Sequence, residues 1–443
     1  MWYRNVTGIS IKSNLPRSAL IVLALAATLV IALTASGLIA NLEDKVGTSL
    51  AFKARSMLDA DPKLDPRIKI IAFDDDTVSR VGIPESLSTE LWTKFYANLA
   101  ATKPSHIIVD MIYGARRSKE ELQQLQQALS ASEKIHTAAL LSRAPISYRG
   151  AIDVKSAAFR QRDQAYEYFN HYRNMFTGIH VYAADPELST INDRVGHINF
   201  RSPGWVSPLA FASASAAIPH LSLRAAESIV IKHKTLVVND NVIPLNPRAE
   251  LLINWPSISE LFRRSKRAAK FFDQLPVQQS GQDLLGISPG DIVIVLPAMY
   301  TGNTDFKETH IGEIPGGYAL VASINSVLSG KWLHPVDTGN WGLAIAFIFG
   351  CAFLIQMRLP LAVALIVSTN IFYALVVTGL FSIFNMQLPW VGFTIAFNLA
   401  ALSALTMTAA AREYRVNQIN AALKGVVSNK VLAKVSALSL IHI

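Results

Sequence analysis

Charge is missing from this chain in long blocks. Ala19–Ala40, Leu359–Phe381 and Leu388–Ala411 hold no Asp, Glu, Lys or Arg, and Trp341–Met357 is a shorter block of the same kind that ends at Arg358. Inside a hydrocarbon layer about 30 Å thick an isolated segment satisfies its own backbone only as a helix. Each block is therefore predicted to span a membrane. A buried core helix would account for one of them, but three follow in tandem. The composition agrees: 51% of residues are hydrophobic and 16% charged, whereas soluble domains carry about 25% charged residues.

The first block is read as an uncleaved anchor. It exceeds the ~7–15 apolar residues of a secretory signal and lacks a clean small-x-small cleavage site. Basic residues in short loops set orientation. Arg4, Lys12 and Arg17 precede the first block, Arg358 separates the second from the third, and Arg412 and Arg415 follow the fourth. The loop Ser382–Gln387 carries no charge. These positions predict a cytoplasmic N-terminus (1–18), a span (19–40), an extracytoplasmic domain (41–340), three further spans (341–411) and a cytoplasmic tail (412–437). The implied location is a bacterial inner membrane crossed four times, with both termini cytoplasmic.

The net charge of +9 would suggest nucleic acid in a cytosolic protein. Here membrane flanks account for much of it, and an external domain meets no nucleic acid. The one cysteine, Cys351, falls within the second block. The external domain thus has no disulfide and must rely on its own core.

That domain reads as α/β, a mostly parallel sheet with flanking helices. Arg67–Phe73, His106–Met111, Glu250–Trp255 and Asp291–Leu296 are continuous apolar runs, the mark of strands buried on both faces. Ser88 caps a helix carrying Leu91, Phe95 and Leu99, and Ser118 with Glu121 forms a capping box before Leu122, Leu125 and Leu129. The first strand, helix and second strand form a predicted βαβ unit. A strand is predicted near Ile135–Leu141, others at Gly178–Tyr182 and Gly196–Phe200, a small-residue helix at Ser207–Ala217, and a helix at Tyr318–Leu328. Ala144–Phe176 has no clear period.

Candidate chemistry gathers at strand ends. Asp74, Asp75 and Asp76 end the first strand and Asp110 lies near the end of the second, the edge where open α/β sheets bind ligands. Paired carboxylates there suit a cation or an amine; they equally suit capping and solvent. Tyr300, Asp305, Lys307 and His310 follow the last strand on a Gly-containing loop, placed to act as a ligand lid or simply as a surface loop. His197, alternating with Asn199, reads as structural. Arg263, Arg264, Lys266, Arg267 and Lys270 interleave with Leu261, Phe262, Phe271 and Phe272 as a basic amphipathic helix, either solvated or facing anionic headgroups. No zinc spacing, P-loop or nucleophile elbow occurs, so no catalytic or metal residue is assigned.

The ordered series of segments resembles the second type of the CHASE domains, the cyclase/histidine-kinase-associated sensory extracellular domains. RIKIIAFDDDTVSRVG (67–82), PSHIIVDMIYG (104–114), GHINF (196–200), LLINWP (251–256), PGDIVIVLPAMYTGNTD (289–305) and IPGGYALVASINSVLSGKWL (314–333) carry the likeness. The chain departs from the family at Leu296-Pro297, where a glycine is usual, and at Tyr318-Ala319-Leu320, where a histidine-alanine-asparagine cluster is common. The resemblance implies a sensory receptor with an unidentified extracytoplasmic ligand. Asn254, opening the asparagine-aromatic-proline end of LLINWP, joins Asp74, Asp75, Asp110, Tyr300, Asp305 and His310 as candidate ligand-binding residues.

The tail bears on the output. Val416, Ile419, Leu423 and Val426 follow a 3-4-3 spacing, a short seam suited to a homodimeric signalling helix. Gly425–Leu432 resembles the segment leading into class III nucleotide cyclases, with Asn429 in place of the usual proline. A cyclase output is expected, with a histidine or serine/threonine kinase as the alternative. ATP and a divalent metal would serve that output domain; the residues present call for no cofactor. Residues 438–443 (LSLIHI) resemble translated sequencing adapter. A membrane-anchored periplasmic hydrolase is the competing class, though no nucleophile–base pair supports it. A transporter is disfavoured because the spans lack charged residues.

Overall fold

The computed structural model describes residues 17–112, 118–130, 132, 134–142, 151–152, 180–182, 194–213, 216–226, 229–232, 235–246, 248–273, 286–300, 305–336, 338–352 and 359–423. They fall into two compact units. One takes in residues up to Leu50, from Val336 to Gly379 and from Leu388 onward; the other runs from Ala51 to Pro335 and includes Leu380–Gln387.

The second unit is built on a parallel sheet: β1 (Ile68–Phe73), β2 (His106–Val109), β3 (Ile135–Ser142), β4 (Val195–His197), β5 (Ser265–Arg267) and β6 (Ile292–Pro297). Their spatial order is β5-β1-β6-β2-β3-β4, every neighbouring pair parallel. His180–Tyr182 pairs antiparallel with the end of β3. β1 and β2 are parallel as expected, but β6 lies between them, so the local βαβ unit is split by the strand made last.

The apolar runs follow from burial on both faces. Successive side chains point to opposite faces of a strand. Ile70, Ala72, Ile294 and Leu296 join one core; Ile71, Phe73, Val293 and Val295 join the other. The first core packs against α4 (Gly317–Ser329), where Val321, Ile324 and Val327 are fully buried. The second packs against α2 (Thr89–Ala101) and α3 (Lys119–Ser130). Phe95 and Phe272 stack there at 5.1 Å, and truncating such a ring to alanine costs about 3–5 kcal/mol.

Two local expectations are corrected. Ser207–Ala217 is not a helix: Leu209–Ser213 and Ala216–Pro219 pair as an antiparallel hairpin. Strand pairing here overrides the helix propensity of alanine and serine. Nor is 262–272 one basic helix. Ile258–Arg264 is helical, Ser265–Arg267 becomes edge strand β5, and Lys270–Asp273 forms one further turn. The free edge of β1 captures the backbone at Ser265, and Phe271 and Phe272 enter the core instead of facing lipid. Residues 274–285, and the 144–150 and 153–176 stretches, lie outside the described residues.

The first unit contains α1 (Arg17–Ala35), α5 (Gly339–Cys351), α6 (Leu359–Phe384, its last turn in the other unit) and α7 (Trp390–Leu423). Among the described residues two helices are long and apolar enough to span a membrane, or three if a bent pair counts as one span. The first block begins that pair, Ile21–Ala35 with Leu38–Met57: it breaks at Ser36-Gly37, where Gly37 takes φ +74°, and the two helices meet at 67°. The expected unbroken helix over 19–40 is thus corrected. α5 is shorter than a full span, and residues 353–358 lie outside the described residues. Small residues allow close helix approach: Ala346, Ala362, Ala396, Ala401 and Ala404 form the packed stripe. A Cβ at Gly350 would sit 2.5 Å from the carbonyl oxygen of Phe397. Asn370 and Asn398 exchange side-chain hydrogen bonds at 3.1 and 3.0 Å. Val416 is half-buried; Ile419 and Leu423 lie on the same helix α7, while Val426 falls outside the described residues.

Candidate functional site

A cavity of about 130 Å³ opens at the carboxyl ends of β2 and β6. Ile198, Phe200, Val206, Pro297 and Leu320 give it apolar walls, and Asp110, Asp305, Lys307 and His220 give it polar ones. Asp110 arrives there because β2 ends at Val109. Asp305 and Lys307 arrive on the hairpin of Phe306–Thr309 and Gly312–Pro315. The backbone N–H of Gly316 donates to the Asp305 carbonyl at 2.7 Å, which holds the hairpin against the start of α4.

The Asp110 carboxylate lies at the first turn of α4. A Cβ at Gly317 would be 2.9 Å from Oδ2 of Asp110 and 2.6 Å from Cβ of Leu296, so only glycine lets helix and carboxylate approach this closely. Asp110 is half-buried, and no hydrogen bond to its carboxylate occurs among the described residues. Desolvation, followed by the negative charge of Asp305, raises its pKa to about 7, against the opposing pull of Lys307. Lys307 pairs with Asp305 at 2.5 Å. His220 is buried, its Nδ1 2.7 Å from the Ser222 hydroxyl, and burial lowers its pKa to about 3.

The other sequence candidates sit elsewhere. Asp74 caps the helix Asp75–Val81, accepting from the Thr77 backbone at 2.9 Å and its hydroxyl at 2.6 Å, and pairs with Arg267 at 3.2 Å. Asp75 accepts the Tyr300 backbone N–H at 3.1 Å, and Asp76 pairs with Arg267 at 2.9 Å. Tyr300 is exposed, its ring 5.3 Å from that of Phe306. His310 is buried and stacked on Phe52 at 5.4 Å; burial lowers its pKa to about 3. His197 is buried against His220 at 5.1 Å. Asn199 substitutes for a strand pair by bonding both the N–H and the carbonyl of Leu141 at 3.0 and 2.7 Å. Asp110 and Asp305 are therefore brought together, and Asp74, Asp75, Asn254, Tyr300 and His310 are not in their cavity.

Asn254 belongs to a second constellation, centred on a residue that sequence reading passed over. Arg55 is 1% exposed. Its Nη1 donates to Oδ1 of Asn254 at 2.8 Å and its Nη2 to the Trp255 carbonyl at 2.9 Å. Asp61 lies 3.4 Å from its Nε. The guanidinium carbon is 4.8 Å from the ring centroids of both Phe52 and Phe381, a two-sided cation–π contact. Asn254 Nδ2 then donates to Asn385 Oδ1 and to the Lys331 carbonyl, each at 2.9 Å. The available signal was Arg55 standing one turn from Phe52 on an otherwise apolar helical face. Phe381 and Asn385 gave none, because one ends an uncharged apolar block and the other lies in the uncharged loop after it.

A parallel α/β domain, bracketed in sequence by apolar helices and holding a cavity at its strand ends, defines a membrane-tethered sensory module. The CHASE2 domain model matches residues 23–355, and the chain belongs to that family of sensor domains. Neither a curated protein nor a solved structure matches it.

Proposed function

We propose that this membrane sensor lies in a bacterial inner membrane, crosses it four times with both termini cytoplasmic, and uses residues 41–340 to read an extracytoplasmic cue. The cue controls a cytoplasmic output domain, a class III nucleotide cyclase. The observation that carries transmission is the Arg55 constellation. Ala51–Met57 continues along the chain from the N-terminal apolar segment, and Leu380–Gln387 joins α6 to α7. Arg55 and Asn254 tie both to Asn254-Trp255, just past the two-residue strand Leu251–Leu252 that pairs antiparallel with Trp205–Val206. A shift there would pull on both chain segments at once.

The cyclase reading rests on the resemblance of Gly425–Leu432 and on the Val416–Val426 spacing. Such cyclases build active sites between two catalytic domains, so the receptor would act as a homodimer. Joining the chain after residue 437 to a class III catalytic domain tests transmission. Typical coupling of about 1–3 kcal/mol corresponds to a 5- to 150-fold change in activity. Arg55→Met should change cyclic-nucleotide output at least fivefold at equal membrane levels. Equal output from both proteins would overturn this reading. A kinase output is favoured instead if the coding sequence after residue 437 specifies a phosphoacceptor histidine and an ATP-binding domain.

A further inference from the structure

We propose that the cavity at the ends of β2 and β6 binds a small ligand bearing one protonated amine, with Asp110 as its counter-ion. The proposal deepens the sensory reading by naming the class of cue.

Charge decides first. Asp110 and Asp305 are two carboxylates, and Lys307 is committed to Asp305 at 2.5 Å. His220 is held neutral by burial. The walls therefore carry one negative charge in excess, placed on the group that has no hydrogen-bond partner among the described residues. A cation restores neutrality; an anion would face two carboxylates. The first turn of α4 would suit an anion, but the Asp110 carboxylate lies against that turn at Gly317 and would repel one.

Size and wall chemistry narrow the class. A volume of about 130 Å³ is close to the ~150 Å³ that admits a benzene-sized guest. Ile198, Phe200, Val206 and Leu320 favour a short apolar body behind the charged head. Among the described residues no three His, Cys, Asp or Glu side chains gather as metal ligands, which argues against a divalent ion.

Binding has a defined pH signature. An alkylammonium stays protonated well above pH 8, so the proton that matters is the one on Asp110. Asp305, Lys307 and His220 are the other titratable groups facing the cavity; burial keeps His220 neutral across pH 6–8. With the Asp110 pKa raised to about 7, its ionised fraction rises about tenfold between pH 6 and pH 8, and affinity should rise with it.

The test uses the full chain in detergent and three isosteric probes, n-butylammonium, 1-butanol and butyrate, measured by calorimetry and by unfolding temperature. Saturable binding of n-butylammonium is expected, about tenfold tighter at pH 8 than at pH 6, with butyrate not binding. Asp110→Asn keeps the shape and removes the charge; it should weaken the cation at least tenfold and abolish the pH dependence. Ala319→Leu fills the cavity without touching charge and should also prevent binding, which keeps the proposal testable if Asp110→Asn does not fold. Absence of saturable binding by n-butylammonium, undiminished binding in Asp110→Asn, or butanol or butyrate binding as tightly would overturn it. The Arg55→Met fusion experiment tests transmission alone, so each reading can fail without the other.

Discussion

The carboxylate of Glu43 accepts the backbone N–H of Trp390 at 2.7 Å, and its second oxygen accepts that of Val391 at 2.6 Å. The N–H of Gly392 is 3.3 Å from the same oxygen. One side chain thus caps α7 from a position far back in the chain, where the helix offers unpaired donors and the positive end of its dipole. Gly47 leaves room for it, since a Cβ there would collide with the Glu43 carboxylate and Val391.

Glu43→Ala should therefore destabilise the helical unit by about 0.5–2 kcal/mol, the range for loss of a cap. Thermal unfolding of the full chain in detergent, followed by far-UV dichroism, measures this. An unchanged transition would show that the cap adds nothing.

Arg55→Met should cost more, about 3–5 kcal/mol, because removing one member of a buried charged network leaves partners unsatisfied. Asn254 Oδ1 and the Trp255 carbonyl would lose their donors. Arg55→Lys should recover only part of the loss, since an ammonium cannot reproduce the planar fork between two rings. Denaturant midpoints of the three proteins decide the point.

Gly317→Ala should destabilise the sensor unit by about 1–3 kcal/mol through overpacking against Leu296 and Asp110. Chemical denaturation monitored by tryptophan fluorescence would read the change. Gly379→Ala, where an added Cβ meets nothing within 4 Å, is the matched control and should be near neutral.

Stability should depend on pH in two opposed ways. His136, His220 and His310 have pKa values lowered to about 3, and that of His197 is lowered well below the usual imidazole value by burial and by His220. The unfolded chain binds protons below about 6.5 while the folded chain does not, so these groups remove stability as pH falls from 6.5 towards 3. Asp110 acts in reverse: its folded form keeps a proton up to about 7, so it lowers stability as pH rises from 3.8 to 7. The histidines outnumber the single aspartate, so acid should unfold the protein. Asp110→Asn should steepen that acid loss by up to ~1.4 kcal/mol per pH unit, seen as a larger spread of unfolding temperatures between pH 4 and pH 7.

Topology has its own test. Reporter fusions at Gly150 and Asn420 should report opposite sides of the membrane, and the same side for both would sink the four-span proposal.

Much of the fold was readable from residue order because its signals are local. The uncharged blocks at 359–381 and 388–411, the apolar strands at 68–73, 106–109 and 292–297 and the caps at Ser88 and Ser118 need only neighbouring residues to be recognised and appear where expected, whereas Glu250–Trp255 forms only the short strand Leu251–Leu252, paired antiparallel outside the parallel sheet. Asp110 was legible as a candidate because it lies near the carboxyl end of a predicted buried strand, the edge where open α/β sheets bind ligands. Its partnership with Asp305 was legible only as a shared sheet edge. The rest depended on contacts between segments far apart in sequence. β6 enters between β1 and β2 because its two apolar faces suit both cores, a choice no local pattern encodes. The basic stretch at 262–272 breaks into helix, strand and turn because the edge of β1 competes for its backbone. Beyond its spacing from Phe52, Arg55 carries no local signal of its role, and becomes a buried hub because Phe381, Asn254 and Asp61 close around it. Periodicity and capping act within a few residues, whereas burial and charge pairing are settled by which distant side chains arrive at the same place.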